Sequence, residues 1–347
     1  MPAKTFIVAL ALAAKAVQPV MAADATAAQT HVERARTFAG RQFGQSLFLC
    51  DPEGVKTVVS AAVNGSEHWL PPTQAFDDLF YVGSEFVGVW VLQTSAGLIL
   101  FDSMGSTADA REHLVPGLKA LGLDPASIRY VIVTHAHWDH YGGAKYLQDT
   151  YGARIALSAE DWDLLDELPV GGIERAPTFG ADRSDRAPPR KDLAIRDGYK
   201  LTLGKTTVTL FVTPGHTPGT LSALIPVHEA HQPYVLSLLG GTAFPQTRQP
   251  TKQSGGLIAF STSVERLSKL SRAAGAVGVI NTHIFVDGSL QRLAAARARQ
   301  AGQANPFVLG TDAVVRYYGM FDECLKAASE RPPTPIDIKA ISESMEH

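Results

Sequence analysis

Residues 135–140 read His-Ala-His-Trp-Asp-His, placing three of the chain's eleven histidines and an aspartate in one short segment. Neutral imidazole nitrogens and a carboxylate are ordinary zinc donors at about 2.0–2.2 Å. The segment follows the β-branched run "YVIVT" (130–134) and precedes "GGAKYLQDTYG", which reads as a helix ending at Gly152. Side chains at a strand end can converge on open space, which suits a site. On extended backbone His135 and His137 point the same way. Asp139 and His140 fall where the chain turns and can face a second point close by. One segment can thus serve two neighbouring metals.

Two further histidines fit the same scheme. "TPGHTPGT" (213–220) holds His216 in a tight loop whose Pro214, Gly215, Pro218 and Gly219 restrict the backbone around it. "VINTHIFVDG" (279–288) puts His283 just past a strand. The remaining histidines, at 31, 68, 113, 228, 231 and 347, lie in loops, helix or termini, and "VHEAH" (227–231) reads as a solvated loop. His135, His137 and His216 form a three-histidine set with an open fourth position, as in catalytic rather than structural zinc. Asp139, His140 and His283 form a second set, and two such zinc ions would lie about 3.5–4 Å apart.

The elements that must position these residues are legible as runs. "LFYVG", "FVGVWVLQT" and "GLILFDS" are strands parted by Gly-containing turns. Asp109–Leu121 has helical spacing kinked at Pro116. "ARIALS" is a strand and "AEDWDLLDEL" a helix. Residues 169–192, rich in Pro, Gly, Arg and Asp, read as a long exposed loop. Strands resume at "YKLTLG", "TTVTLFVT", "TLSALIPV" and "YVLSLLG". A helix at Ser263–Ala274 leads to the strand "VGVIN", followed by helices at Leu290–Gln300 and Asp312–Ser329. Strands, helices, strands, helices: the layered solution is an α/β fold of two face-to-face sheets with helices outside, an αββα four-layer sandwich. Residues 23–75 read as an N-terminal extension, with a short helix near Val32–Phe38, a strand at Ser46–Cys50 and a loop ending in "LPPTQ"; residues 76–347 carry the catalytic domain and its C-terminal helix.

With 31 basic against 34 acidic residues the chain lacks the basic surface that nucleic acid demands, and 45% hydrophobic content supports a substantial core. Residues 1–22 have the layout of a secretory signal peptide: Lys4, an apolar run Phe6–Ala14 too short to span a membrane, and small residues up to Ala22. Its removal would leave a periplasmic or secreted protein without a membrane segment. Cys50 and Cys324 are too few for a disulfide scaffold; they either pair, tying the extension to the C-terminal helix, or stay separate buried thiols.

Through "THAHWDH", "TPGHTPG" and His283, residues 77 to 330 resemble the metallo-β-lactamase fold, most of all its third subclass, whose second zinc takes only Asp and His ligands. Many relatives carry a bridging aspartate in a "GDT-x-F"-like segment; here that stretch is "LGGTAF", with Gly241 in its place, and no cysteine stands nearby. The resemblance implies a secreted enzyme with two Zn2+ that opens β-lactam rings, conferring antibiotic resistance, through hydroxide held between the ions. Asp139 would orient it and relay its proton, and a small molecule would be the partner. Phe86, Tyr141 and Thr242 are candidate substrate contacts, with Trp138 flanking the motif. The alternatives are the same site acting on a lactone, ester or other amide, and a non-hydrolytic metal-binding or redox protein.

Overall fold

The protein is described here from a computed structural model covering residues 18–64, 68–167 and 183–331. In chain order, α1 spans Gln18–Ala39 and α2 Pro52–Asn64. Then come β1 (Thr73–Gln74), β2 (Leu79–Gly83), β3 (Gly88–Thr94) and β4 (Gly97–Phe101). Short helices α3 (Thr107–Asp109) and α4 (Val115–Ala120) precede β5 (Ile128–Ile132). They are followed by α5 (Trp138–Tyr141), α6 (Ala144–Tyr151), β6 (Arg154–Ser158), α7 (Ala159–Glu167) and β7 (Leu193–Ile195). The second half contains β8 (Tyr199–Leu203), β9 (Thr206–Val212), β10 (Leu221–Glu229), β11 (Gln232–Leu238), α8 (Gly256–Ala273) and β12 (Gly278–Ile280). It closes with α9 (Ile284–Asp287), α10 (Ser289–Ala298) and α11 (Thr311–Glu330).

The strands form two sheets, β1-β2-β3-β4-β5-β6-β7 and β12-β11-β10-β9-β8. From β4 to β7 the first sheet is parallel, whereas the second is antiparallel apart from the β11–β12 pair. Alternation along the strands builds the layers. On β3 and β4, Trp90, Leu92, Ile99 and Phe101 enter the core between the sheets, with Leu210, Ile225 and Leu236 from the other side. Val89, Val91, Leu98 and Leu100 face the opposite way, into a core with Leu114, Leu118 and Leu147 from the covering helices. Because both faces are covered, these strands read as continuous apolar runs. A third core joins α1, α8 and α11 through Ala35, Phe260, Val264, Tyr317 and Phe321. The expected four-layer α/β sandwich is what folds.

Some expectations need correction. Ser46–Cys50 is not a strand: Gly44–Cys50 is a 3-10 helix that buries Leu49 and Cys50 against α11, where no sheet edge is available to pair with. The loop expected after it is helix α2, begun by Asp51, whose carboxylate accepts from the Glu53 and Gly54 amides, with Pro52 at the first position. The helix near Val32–Phe38 is the far end of α1, and α8 starts at Gly256 rather than Ser263. Within the 169–192 loop, residues 169–182 lie outside the described residues, while Arg183–Arg186 forms a 3-10 turn. Strand β7 follows directly. Around Pro116 the chain adjusts with a π-helical stretch at Ala110–Leu114 instead of a sharp bend. Cys50 and Cys324 are disulfide-bonded across 274 residues. The expected leader lies outside the described residues up to position 17. Among the described residues no helix is long and apolar enough to cross a membrane.

Candidate metal centre

Two strand ends and one tight loop supply the site. His135, His137, Asp139 and His140 follow β5, His216 sits in the β9–β10 loop, and His283 follows β12. His216 Nε2 lies 3.1 Å from His135 Nε2 and 2.9 Å from His137 Nδ1. In the second group, His140 Nε2 lies 3.1 Å from His283 Nε2 and 3.5 Å from Asp139 Oδ2, and His283 Nε2 is 3.4 Å from that oxygen. Three donors around one tetrahedral ion at 2.0–2.2 Å would stand about 3.3–3.6 Å apart. Both triads come close to that spacing, so the residues fit one metal ion each.

In four of the five histidines the free ring nitrogen has a partner that fixes the donor tautomer, as metal-binding imidazoles generally require. His140 Nδ1–H donates to Asp102 Oδ2 at 2.6 Å, His216 Nδ1–H to the Ala243 carbonyl at 2.8 Å, and His283 Nδ1–H to the Phe86 carbonyl at 2.9 Å. His135 Nδ1–H donates to Thr134 Oγ1, whose hydroxyl donates in turn to Asp102 Oδ2, both at 3.0 Å.

Two buried aspartates organise this framework, and neither was singled out from the sequence. Asp102 follows β4 directly with φ +68°, a left-handed conformation that Asp tolerates better than most residues. It also accepts from the Thr134 amide at 2.6 Å, so it stands behind both His140 and His135. Asp161, at the start of α7, accepts from the Ala136 amide (2.9 Å), the Gly219 amide (2.7 Å) and the Thr217 hydroxyl (2.7 Å). One carboxylate thus ties the His135–His137 segment to the His216 loop. A Cβ on Gly219 would come within 2.7 Å of it, which explains the glycine. Burial pushes the Asp161 carboxyl up to about 6, against the bonds from Thr217, Ala136 and Gly219 that favour its ionised form. The signal for Asp102 was an acid terminating a fully apolar strand; Asp161 offered only an acid in a helix's first turn.

Electrostatics differ between the triads. Burial and the neighbouring imidazoles hold His135 and His216 well below their ordinary pKa, and burial brings His137 down to about 4. Burial also opposes charge on His140, but the carboxylates of Asp139 and Asp102 outweigh it and raise that histidine. Burial disfavours the Asp139 anion, yet His140 and His283 hold its carboxyl far below the usual range.

Of the other candidates, Phe86 packs beside His283 with ring centroids 4.9 Å apart. Thr242 is buried next to Gly241. Tyr141 is fully buried in the core between the first sheet and its helices, so it forms no exposed wall; its position on α5 turns it inward. Trp138 is half-buried beneath the Arg186 guanidinium, 3.9 Å over its ring. At Gly241 a Cβ would fall 2.5 Å from that of His216, so the backbone itself packs against the ligand ring.

Residues 83–228 match the family described as the metallo-beta-lactamase superfamily. A probable metallo-hydrolase of Burkholderia pseudomallei is 33% identical over 127 residues, 36% of this chain and 40% of that protein. The N-acyl homoserine lactonase AttM of Rhizobium radiobacter is 30% identical over 122 residues, 34% of this chain and 43% of its own length. The chain therefore spans less than half of either relative. Among solved structures, BJP-1, a subclass B3 metallo-beta-lactamase of Bradyrhizobium japonicum, superposes with TM-score 0.61 at 24% identity, covering 82% of this chain and 96% of that one. Residues 83–228 thus belong to the metallo-beta-lactamase superfamily, and the chain as a whole carries that superfamily's fold.

Proposed function

We propose that the protein is an exported dizinc hydrolase that opens the β-lactam ring of a small-molecule substrate. The observation that carries the reading is the pair of donor triads: five histidines and one aspartate, with the donor atoms of each triad within 4.8 Å of one another, and a backbone at Gly241 that leaves no room for a further carboxylate. Imidazole-rich sites of this kind suit zinc better than iron, which disfavours the redox reading. His135, His137 and His216 would hold one ion, and Asp139, His140 and His283 the other. Bound zinc supplies Lewis acidity toward the scissile carbonyl and lowers the pKa of water to about 7. Asp102 and Asp161 keep the donor rings in place, which limits the reorganisation needed at the moment of reaction. Asp139, kept ionised by its two imidazole neighbours, orients the attacking water and accepts its proton for delivery to the departing nitrogen. The Cys50–Cys324 disulfide supports an oxidising compartment.

A second reading, hydrolysis of a lactone by the same centre, is favoured by the match to a homoserine lactonase. The test is a hydrolysis screen of zinc-loaded protein over β-lactams, lactones and esters, alongside metal analysis. Two zinc ions per chain are expected, with cephalosporin turnover that a chelator abolishes. In D139A, turnover should fall by more than the roughly 10–100-fold that loss of a partner behind a ligand costs. Lactone turnover without lactam turnover would replace the first reading with the second, and bound iron without any hydrolysis would overturn both.

A further inference from the structure

Apart from the metal centre, the described residues enclose a cavity of about 300 Å³ where the edge of the first sheet meets α10 and the β10–β11 turn. That volume is at the small end of the range for ligand pockets. None of the lining residues is a metal donor. Strand β1 supplies one wall, and it is the edge strand of its sheet, paired with β2 alone. Because the Ala75 amide donates to the Leu79 carbonyl, Gln74 and Phe80 form a non-hydrogen-bonded pair in that ladder. The Gln74 N–H and C=O therefore point away from β2, toward the open edge.

Four charged side chains line the cavity, and only two of them are paired. Arg299 donates to Glu229 Oε1 at 2.6 Å and Asn305 Nδ2 to Glu229 Oε2 at 2.9 Å, so both oxygens of that carboxylate are engaged. Arg297 Nη1 donates to the Thr73 hydroxyl at 3.0 Å, and that hydroxyl is fixed in turn by its bond to the Pro71 carbonyl at 2.7 Å. The guanidinium is thus held at the wall with one of its five donors used. Among the described residues neither Arg297 nor Asp77 forms an ion pair, with each other or with any third group. Two opposite charges share one cavity without meeting.

We propose that this cavity binds a small zwitterion of the amino-acid type, with its carboxylate on Arg297 and its ammonium at Asp77. The guanidinium fork matches a carboxylate. A doubly charged anion such as phosphate fits poorly, because carboxylates and guanidiniums line the cavity in equal number. The outward Gln74 amide and carbonyl add a donor and an acceptor along the edge strand, where a ligand backbone can pair. The site stands independently of the metal-centre reading.

The test is a ligand-detected NMR titration of the full chain with L-alanine, and with propanoate and ethylamine, each of which keeps one of alanine's two charged groups. The component lost in Arg297→Ala is the one that counts, so carboxylate binding at the metals is subtracted. In that component alanine is expected to bind at least about tenfold more tightly than either analogue, the factor one charge-assisted contact is worth. Asp77→Asn should cost alanine roughly tenfold and leave propanoate no weaker. Asp77 and Arg297 are both exposed, so neither substitution threatens the fold, and the three wild-type titrations decide the matter without Asp77→Asn. Propanoate binding as tightly as alanine would overturn the zwitterion site. Alanine affinity untouched by Arg297→Ala, or no alanine binding at all, would overturn it too and leave the metal centre standing.

Discussion

The two donor triads are adjacent, yet they are built on opposite electrostatic plans. The three-histidine triad contains no anionic donor, and its rings are held neutral by burial and by one another. The other triad includes the Asp139 carboxylate and has Asp102 hydrogen-bonded behind His140, so it attracts positive charge of any kind, protons included. The mechanical supports differ as well. Asp161 gathers the two segments that carry the three-histidine set, whereas Asp102 touches His140 directly and reaches His135 through Thr134. A neutral corner is ready for metal at neutral pH, and an anionic corner holds metal with better charge compensation but in competition with protons.

The largest effects should come from separating the supports. In D161N one carboxylate oxygen becomes an N–H₂ donor, so either the Gly219 amide at Oδ1 or the Ala136 amide and Thr217 hydroxyl at Oδ2 lose an acceptor they cannot replace. The three-histidine corner should lose roughly 10–100-fold in metal affinity, with the other corner changed little. D102N leaves one acceptor oxygen where His140, the Thr134 hydroxyl and the Thr134 amide use two, and both corners should weaken by a similar factor. Stepwise metal titration followed by cobalt spectra distinguishes the outcomes. Equal loss at both corners in D161N would mean that they are one rigid unit.

These two aspartates also mark where reading the sequence stopped. The six donors were legible because four are packed into 135–140 and the other two sit in punctuated loops at strand ends. The layers were legible because strands covered on both faces leave uninterrupted apolar runs such as 97–101. Asp102 and Asp161 looked like ordinary acids at element boundaries, where most are solvated; only the packing of distant segments buries them. The extension failed for a related reason. Leu47–Cys50 has strand-like composition, but its conformation is set by α1 and α11, hundreds of residues apart in sequence. The capping signal of Asp51-Pro52 was present locally and went unused.

Acidification should sharpen the contrast by a smaller margin. Protons compete with metal for imidazole nitrogen. His140, raised by Asp139 and Asp102 despite its burial, takes a proton at higher pH than the three lowered histidines do. As pH falls from 7 toward 5, metal should therefore leave the Asp139–His140–His283 corner first. The three-histidine corner should keep its metal until nearer pH 4, the value to which burial brings His137. Metal content after dialysis across this range should pass through a plateau of one ion per chain. Loss from the three-histidine corner first would reverse the assignment of charge to the two corners.

The smallest effect on the centre is expected from the disulfide, which lies in the outer helical layer. Replacing both Cys50 and Cys324 with serine releases the 3-10 helix Gly44–Cys50 from α11, and denaturant unfolding should show a loss of roughly 2–4 kcal/mol. Metal affinity at either corner should hold, because the donors hang on strand ends tied together by Asp102 and Asp161, not on that helix. The 3-10 helix does carry Phe48, which packs against Phe285, itself in contact with His283. A selective drop in metal affinity at the Asp139–His140–His283 corner would therefore show that this corner, unlike its neighbour, depends on the N-terminal segment for its shape. Metal titration of the double variant under native conditions separates that outcome from a general loss of stability, which would weaken both corners together.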